Sequence, residues 1–135
     1  MIASRGVVFV AYGDQARAQV QLAAKSLVER NPGLPFRVIC DQGFRKETRF
    51  PVMKCIYHED ADPGARWAKL NMDRLSPFEQ TLYLDADTRV MGDISMPFDL
   101  LDNGWEMCMA PCRHQKPRPF SRSLRPAEPF GTICQ

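Results

Sequence analysis

The sequence predicts an α/β domain built on a mostly parallel sheet with helices on both faces. Three observations point there. Strand-like and helix-like segments alternate along the chain. The first strand-like segment, Gly6-Val7-Val8-Phe9-Val10-Ala11-Tyr12-Gly13, is apolar without a break, the pattern of a strand covered on both faces. Right-handed crossovers between parallel strands would place the helices on both faces.

The elements follow in order. After the first strand, Asp14 stands where a helix cap belongs, and a helix is expected to about Arg30. Within it Val20, Ala23, Ala24, Leu27 and Val28 fall at i, i+3, i+4, i+7 and i+8, one apolar stripe. Asn31-Pro32-Gly33-Leu34-Pro35 ends it. Phe36 to Cys40 reads as the second strand, closing at Asp41. Val52 to Tyr57 reads as the third, and its Lys54 points to a sheet edge. Asp60 to Gly64 is a turn. A helix from about Ala65 to Leu75 follows, with Ala65, Ala68, Met72 and Leu75 on one face. Gln80 to Leu84 is the fourth strand, read as buried, and it runs into Asp85-Ala86-Asp87. A short apolar piece (Arg89 to Met91), a single helical turn near Pro97 to Leu101 and a strand near Glu106 to Ala110 complete the regular part. No internal repeat is present.

Residues 1–110 therefore form the expected α/β domain. Residues 111–135 change character: Pro111, Pro117, Pro119, Pro126 and Pro129 lie among Arg113, Lys116, Arg118, Arg122 and Arg125. Proline removes donors and breaks elements, so this is expected to be a loop or tail. It is either a solvated basic segment or an arm that closes over a phosphate-bearing ligand.

Composition bounds the function. The 135 residues suit one core. Lys plus Arg number 18 against 16 Asp plus Glu, a net +2 too small to call for nucleic acid or a membrane surface. No run nears the ~20 apolar residues of a membrane span, and Met1 to Arg5 leads straight into a strand, so a cytoplasmic location is expected. Five cysteines without a CxxC pair signal neither a disulfide framework nor a zinc ribbon. Cys108, Cys112 and His114 make an incomplete metal set, because a fourth ligand at sensible spacing is missing.

Chemistry concentrates at Asp85 and Asp87. Residues two apart in extended chain point to one side, so both carboxylates can face one ligand at the strand's mouth. Two adjacent anions repel unless a cation sits between them. Carboxylate oxygens suit hard cations such as Mn²⁺ or Mg²⁺, and the open positions would suit diphosphate oxygens. The alternative is a pair of turn aspartates after a strand. In parallel sheets ligands bind at the carboxyl ends of strands, where Ala11-Tyr12-Gly13, Asp41 and Asp85-Ala86-Asp87 all arrive.

The segment Leu82-Tyr83-Leu84-Asp85-Ala86-Asp87-Thr88, with Val90, Gly92-Asp93-Ile94 and Phe98-Asp99-Leu100 behind it, resembles the DxD block of nucleotide-sugar-dependent glycosyltransferases of the GT-A fold. It is most similar to the glycogenin and galactosyltransferase-like group (family 8-like). Arg66-Trp67-Ala68-Lys69-Leu70 resembles the helix that brings a basic residue to the nucleotide there, and the first strand's end resembles the stretch that receives base and ribose. The resemblance spans roughly residues 6 to 110. It implies a Rossmann-like GT-A half that binds a nucleotide-diphosphate-sugar, a UDP-sugar by that likeness, and passes the sugar to an acceptor hydroxyl. It further implies Mn²⁺ or Mg²⁺ on Asp85 and Asp87, ribose contact at Asp85 or Ala86, the base held by Ala11, Tyr12 and Gly13, and sugar or phosphate contact from Lys69 and Arg66. Each has a plainer alternative: Lys69 as an i,i+4 partner of Asp73, Tyr12 as a core aromatic, Asp41 as a turn residue. The group's later metal-binding histidine has only a faint echo in His114 to Phe120, which lacks the motif's glycine. The chain is also short for the group, so a truncated, inactive nucleotide-sugar-binding remnant is the competing expectation. A phosphohydrolase of the HAD type fits less well, because its DxDx[TV] pattern meets Arg89 where Thr or Val belongs and its motif sits on the first strand. Nucleotidyltransferases carry a Gly-rich basic loop after the first strand, and Asp14-Gln15-Ala16-Arg17 is not one.

Overall fold

In the computed structural model the described residues are 4–41, 54–56 and 64–106. The chain divides into two units, Met1–Phe98 and Asp99–Gln135. Strand β1 (Arg5–Ala11) is buried from Gly6 onward, with Val7, Val8, Phe9 and Ala11 at 0% exposure. That is the outcome its unbroken apolar run requires, because β1 lies inside the sheet. Helix α1 spans Asp14–Arg30, β2 Phe36–Cys40, β3 Lys54–Ile56, α2 Gly64–Leu70, α3 Met72–Leu75, β4 Gln80–Asp85 and α4 Met96–Asp102.

The strands form one sheet in the order β3-β2-β1-β4. Every pairing is parallel: Ala11 lies opposite Cys40, Val10 opposite Asp85, and Val38 opposite Cys55. The fold is therefore the α/β architecture read from the sequence, and β3 stands at the edge that Lys54 indicated. Alternation along β1 divides the core. Val7, Phe9 and Ala11 pack with Val38, Cys40 and the α1 residues Val20, Ala23, Ala24 and Leu27. Val8 and Val10 pack with Ile39, Ala68 of α2 and Phe78. The helices thus cover opposite faces. Cys40 is buried in the α1-side cluster, where it packs as a small hydrophobe.

Four local expectations change. Asp14 does not cap α1. The cap is Gly13, at φ +82°, with no side-chain cap bond, and Asp14 is already helical and paired with Arg17. Val28 leaves the stripe, at 42% exposure, because i+8 has rotated past the buried arc. The helix at 65–75 is divided at Asn71 into two pieces; Asn71 donates both its backbone N–H, at 3.0 Å, and its side-chain amide, at 2.9 Å, to Trp67 O. Strand β4 is half-buried rather than covered, because β1 alone borders it among the described residues.

No described helix is long and apolar enough to cross a membrane. Residues 52, 53 and 57, the turn at 60–63, residues 107–110 of the last expected strand and the tail 111–135 lie outside the described residues.

Candidate functional site

After β1 the chain moves to β2 and β3 on one side, and it returns to place β4 on the other. The carboxyl ends of β1 and β4 therefore flank the switch point of strand order, where open parallel sheets leave a crevice. A cavity of about 340 Å³ opens there, within the range of small-molecule sites. Val10 and Tyr12 contribute to it from β1, Ala16 and Gln19 from α1, Ala65 and Lys69 from α2, and Asp85, Ala86 and Asp87 from the end of β4.

Asp85 is the electrostatic centre. Lys69 Nζ donates to its Oδ1 at 2.7 Å, and the Tyr83 hydroxyl donates to the same oxygen. The ammonium also lies 5.7 Å from the Tyr83 ring centroid, a cation–π distance. The Lys69 and Tyr83 hydrogen bonds hold the Asp85 carboxyl below its ordinary range. The same contacts raise Lys69. Burial first, and then the bond to Asp85, push the Tyr83 phenol up to about 12. Both carboxyl and ammonium are about half exposed, so water and salt temper the pair.

The strand ends at Asp85, and Asp87 is carried by a turn. Thr88 N and Oγ1 donate to Asp85 O at 3.1 and 2.7 Å. The extended-chain argument for a shared side therefore stops at Asp85; the turn, not the pleat, sets Asp87, and both residues still line one cavity. The segment beyond is tied to α1. Val90 N donates to Ser26 Oγ at 2.9 Å, and Asn31 receives Ile94 N and donates to Gly92 O, each at 3.0 Å.

Of the residues singled out in the sequence, Tyr12, Lys69, Asp85, Ala86 and Asp87 meet at the cavity. Ala11 is buried behind it in the α1-side core. Gly13 and Arg66 are exposed and do not line it. Lys69 reaches across to Asp85, and Asp73, its expected i,i+4 partner, belongs to the next helix, α3. Tyr12 packs against the Val8–Ile39 cluster while also lining the cavity. Asp41 bonds Gly13 N–H and Arg17. Tyr83, Gln19 and Arg17 carry no site role in the sequence analysis. Tyr83 was legible, being two residues from Asp85 on one strand; Gln19 and Arg17 needed the packing of α1.

Asp85 and Asp87 offer oxygen donors of the type a hard divalent cation takes. Among the described residues no group of three or more His, Cys, Asp or Glu side chains gathers, so further donors would come from a ligand or water. His58, Cys108, Cys112 and His114 lie outside the described residues.

No family model matches the chain, and no curated protein matches it. Among solved structures it is similar to the apo-form glycosyltransferase GlyE of Streptococcus pneumoniae TIGR4, at 24% identity and a TM-score of 0.49. The match covers 73% of this chain and 26% of that one, so the chain spans about a quarter of the matched structure. What this chain does has to be read from the residues around its own cavity.

Proposed function

We propose that the chain is the donor-binding half of a glycosyltransferase that uses a nucleotide-diphosphate-sugar. The observation that carries the reading is the convergence of Asp85, Asp87, Lys69 and Tyr12 on one cavity at the sheet's switch point. Two carboxylates, an ammonium and an aromatic ring answer the three parts of such a donor: a metal-bound diphosphate, its excess negative charge, and a flat base. The DxD block from Leu82 to Thr88 supports the same reading by its resemblance.

Asp87 and Asp85 would hold Mn²⁺ or Mg²⁺, which when bound supplies charge neutralisation on the departing diphosphate. Lys69 orients the phosphate oxygens and shares their charge. Tyr12 offers a face for the base, and Ala86, small and buried, lets backbone approach the ribose. In the transfer the bond from the anomeric carbon to the diphosphate oxygen breaks, and its electron pair leaves on the nucleoside diphosphate. A new bond forms from that carbon to the acceptor oxygen, whose proton passes to a base.

The test is titration calorimetry with UDP-glucose, with and without Mn²⁺, on the wild type and Asp87→Asn. A charged interaction worth about 1.5–3 kcal/mol predicts at least about a tenfold loss of Mn²⁺-dependent affinity, with an unchanged circular dichroism spectrum. Equal affinities for the two proteins sink the assignment. Release of glucose from bound donor separates a transferase from a protein that only binds it.

A further inference from the structure

We propose that Asp41 and Arg17 are positioning residues for the donor site, clamping Gly13 so that the backbone presents Tyr12 to the cavity. The proposal rests on the nucleotide-sugar reading for its consequence, but the clamp can be tested without it. In the β1–β2 register Ala11 lies opposite Cys40, so Tyr12 and Asp41 leave the sheet side by side. Tyr12 is held on one side by Ala11, which is fully buried. On the other side stands Gly13, at φ +82° and ψ 165°, a conformation that glycine adopts freely and does not by itself maintain.

Asp41 supplies the missing constraint. Its Oδ2 accepts Gly13 N–H at 2.8 Å, and its Oδ1 accepts Arg17 Nη1 at 2.6 Å. Arg17 also pairs with Asp14 in the first turn of α1. The Arg17 and Asp41 side chains are only 13% and 20% exposed, so this pair is far less screened than the Lys69–Asp85 pair. Arg17 Nε is buried without a hydrogen-bond partner among the described residues, a cost that an exposed ion pair would not carry. A carboxylate just beyond β2 thus accepts the N–H of the cap residue itself, the bond that a Glu at the third helical position makes locally in a capping box. The result is a fixed exit from β1 at the residue whose ring would stack on the base.

A merely structural pair and a positioning pair differ in how their effects combine. If Asp41 acts on the nucleotide through Tyr12, removing both costs no more than removing Tyr12 alone. The experiment measures UDP affinity by calorimetry in Mn²⁺ for the wild type, Asp41→Asn, Tyr12→Ala and the double variant. Amide exchange at Gly13 and the Tyr12 ring signals are followed by NMR on the same proteins. Tyr12→Ala should weaken UDP binding roughly tenfold, as loss of base stacking does. Asp41→Asn should weaken it several-fold, speed Gly13 exchange and shift the Tyr12 signals, and leave affinity for Mn²⁺ alone unchanged. In the double variant the loss should equal that of Tyr12→Ala. Multiplying losses, or an unmoved Gly13 amide, overturn the proposal. If the wild type binds no UDP, the nucleotide reading falls, and the Gly13 and Tyr12 signals alone decide the clamp: a change in Asp41→Asn upholds it and none overturns it. Should Asp41→Asn fail to fold, Arg17→Lys, which keeps the charge but loses the planar fork, is expected to give the same pattern at smaller amplitude.

Discussion

Replacing Gly6 by alanine tests the packing that carries β4 beside β1. Gly6 lies in extended β1 backbone opposite Thr81, so a side chain there meets no conformational objection. It meets Phe78 instead. A Cβ on Gly6 would stand 2.4 Å from Cζ and 2.5 and 2.6 Å from the two Cε atoms of that ring. Carbon–carbon contact is comfortable from about 3.5 Å, so the ring must withdraw by about 1 Å. Its freedom to do so is small. Phe78 is 8% exposed, packed with Val8, Val10, Ile39 and Ala68, and Arg37 lies 5.8 Å from its ring centroid. Overpacking of this kind costs about 1–3 kcal/mol. The reduced entropy of the unfolded chain returns about 0.4–1 kcal/mol. The expected net loss is about 1–2 kcal/mol, or a Tm lower by roughly 5–10 °C for a domain of this size. Urea unfolding followed by circular dichroism measures it. Phe78→Leu in the Gly6→Ala background should recover more than the sum of the single changes allows. A Gly6→Ala protein as stable as the wild type, or strictly additive effects, would refute the close approach.

Other expectations concern the site and its support. In an ultraviolet titration of the three tyrosines, one phenol should ionise near 12 and vanish from the curve in Tyr83→Phe; three transitions near the ordinary value of 10.0 would contradict the half-buried phenol and its bond to Asp85. Because the folded value is the higher one, the stability Tyr83 contributes is full below its unfolded value and is lost as pH rises toward 12. Asp85 has the opposite sign: its folded value is depressed, so its contribution is present above the ordinary 3.8 and disappears as pH falls through the folded value. Lys69→Met should bring the Asp85 carboxyl back toward 3.8, followed by carbon NMR, and an unmoved titration would deny the ion pair. Asn31→Ala removes both bonds that fasten Gly92 and Ile94 to α1 and should cost about 1–2 kcal/mol in urea unfolding. A loss below about 0.5 kcal/mol, ordinary for surface changes, would mean that the segment after Asp87 is not anchored there.

Much of this was legible in the residues. The unbroken apolar run of β1 announced a strand covered on both faces, and the α1 stripe announced its buried side, because burial writes its period directly into the sequence. Lys54 marked the edge strand. Asp85 and Asp87 stood out because two carboxylates after an apolar strand are costly without a purpose. Local patterns say least wherever a side chain acts at a distance. Asp14 stands where a cap belongs, whereas the carboxylate that bonds the N–H of the cap residue Gly13 is Asp41, just beyond β2. The apolar spacing runs straight through Asn71, where the structure divides the helix in two, since hydrophobic period marks a buried face and not where a helix stops. Asp73, four residues on, lies in the next helix, and Lys69 pairs with Asp85.

By itself, the sequence determined the local terms: which segments become strands and helices, which faces are apolar, and that two carboxylates stand where the fourth strand gives out. These follow from periodicity and backbone preference, which act over a few residues. Only the tertiary structure decided that β4 lies against β1, on the side opposite β2, so that the ends of β1 and β4 enclose a cavity. It alone joined Lys69, Tyr83 and Asp85, and set Asp41 and Arg17 around Gly13. Lys69 meets Asp85, and Asp41 meets Gly13 and Arg17, across 16 to 28 positions of chain, and these partners are chosen by the order and register of the strands, which no local pattern specifies.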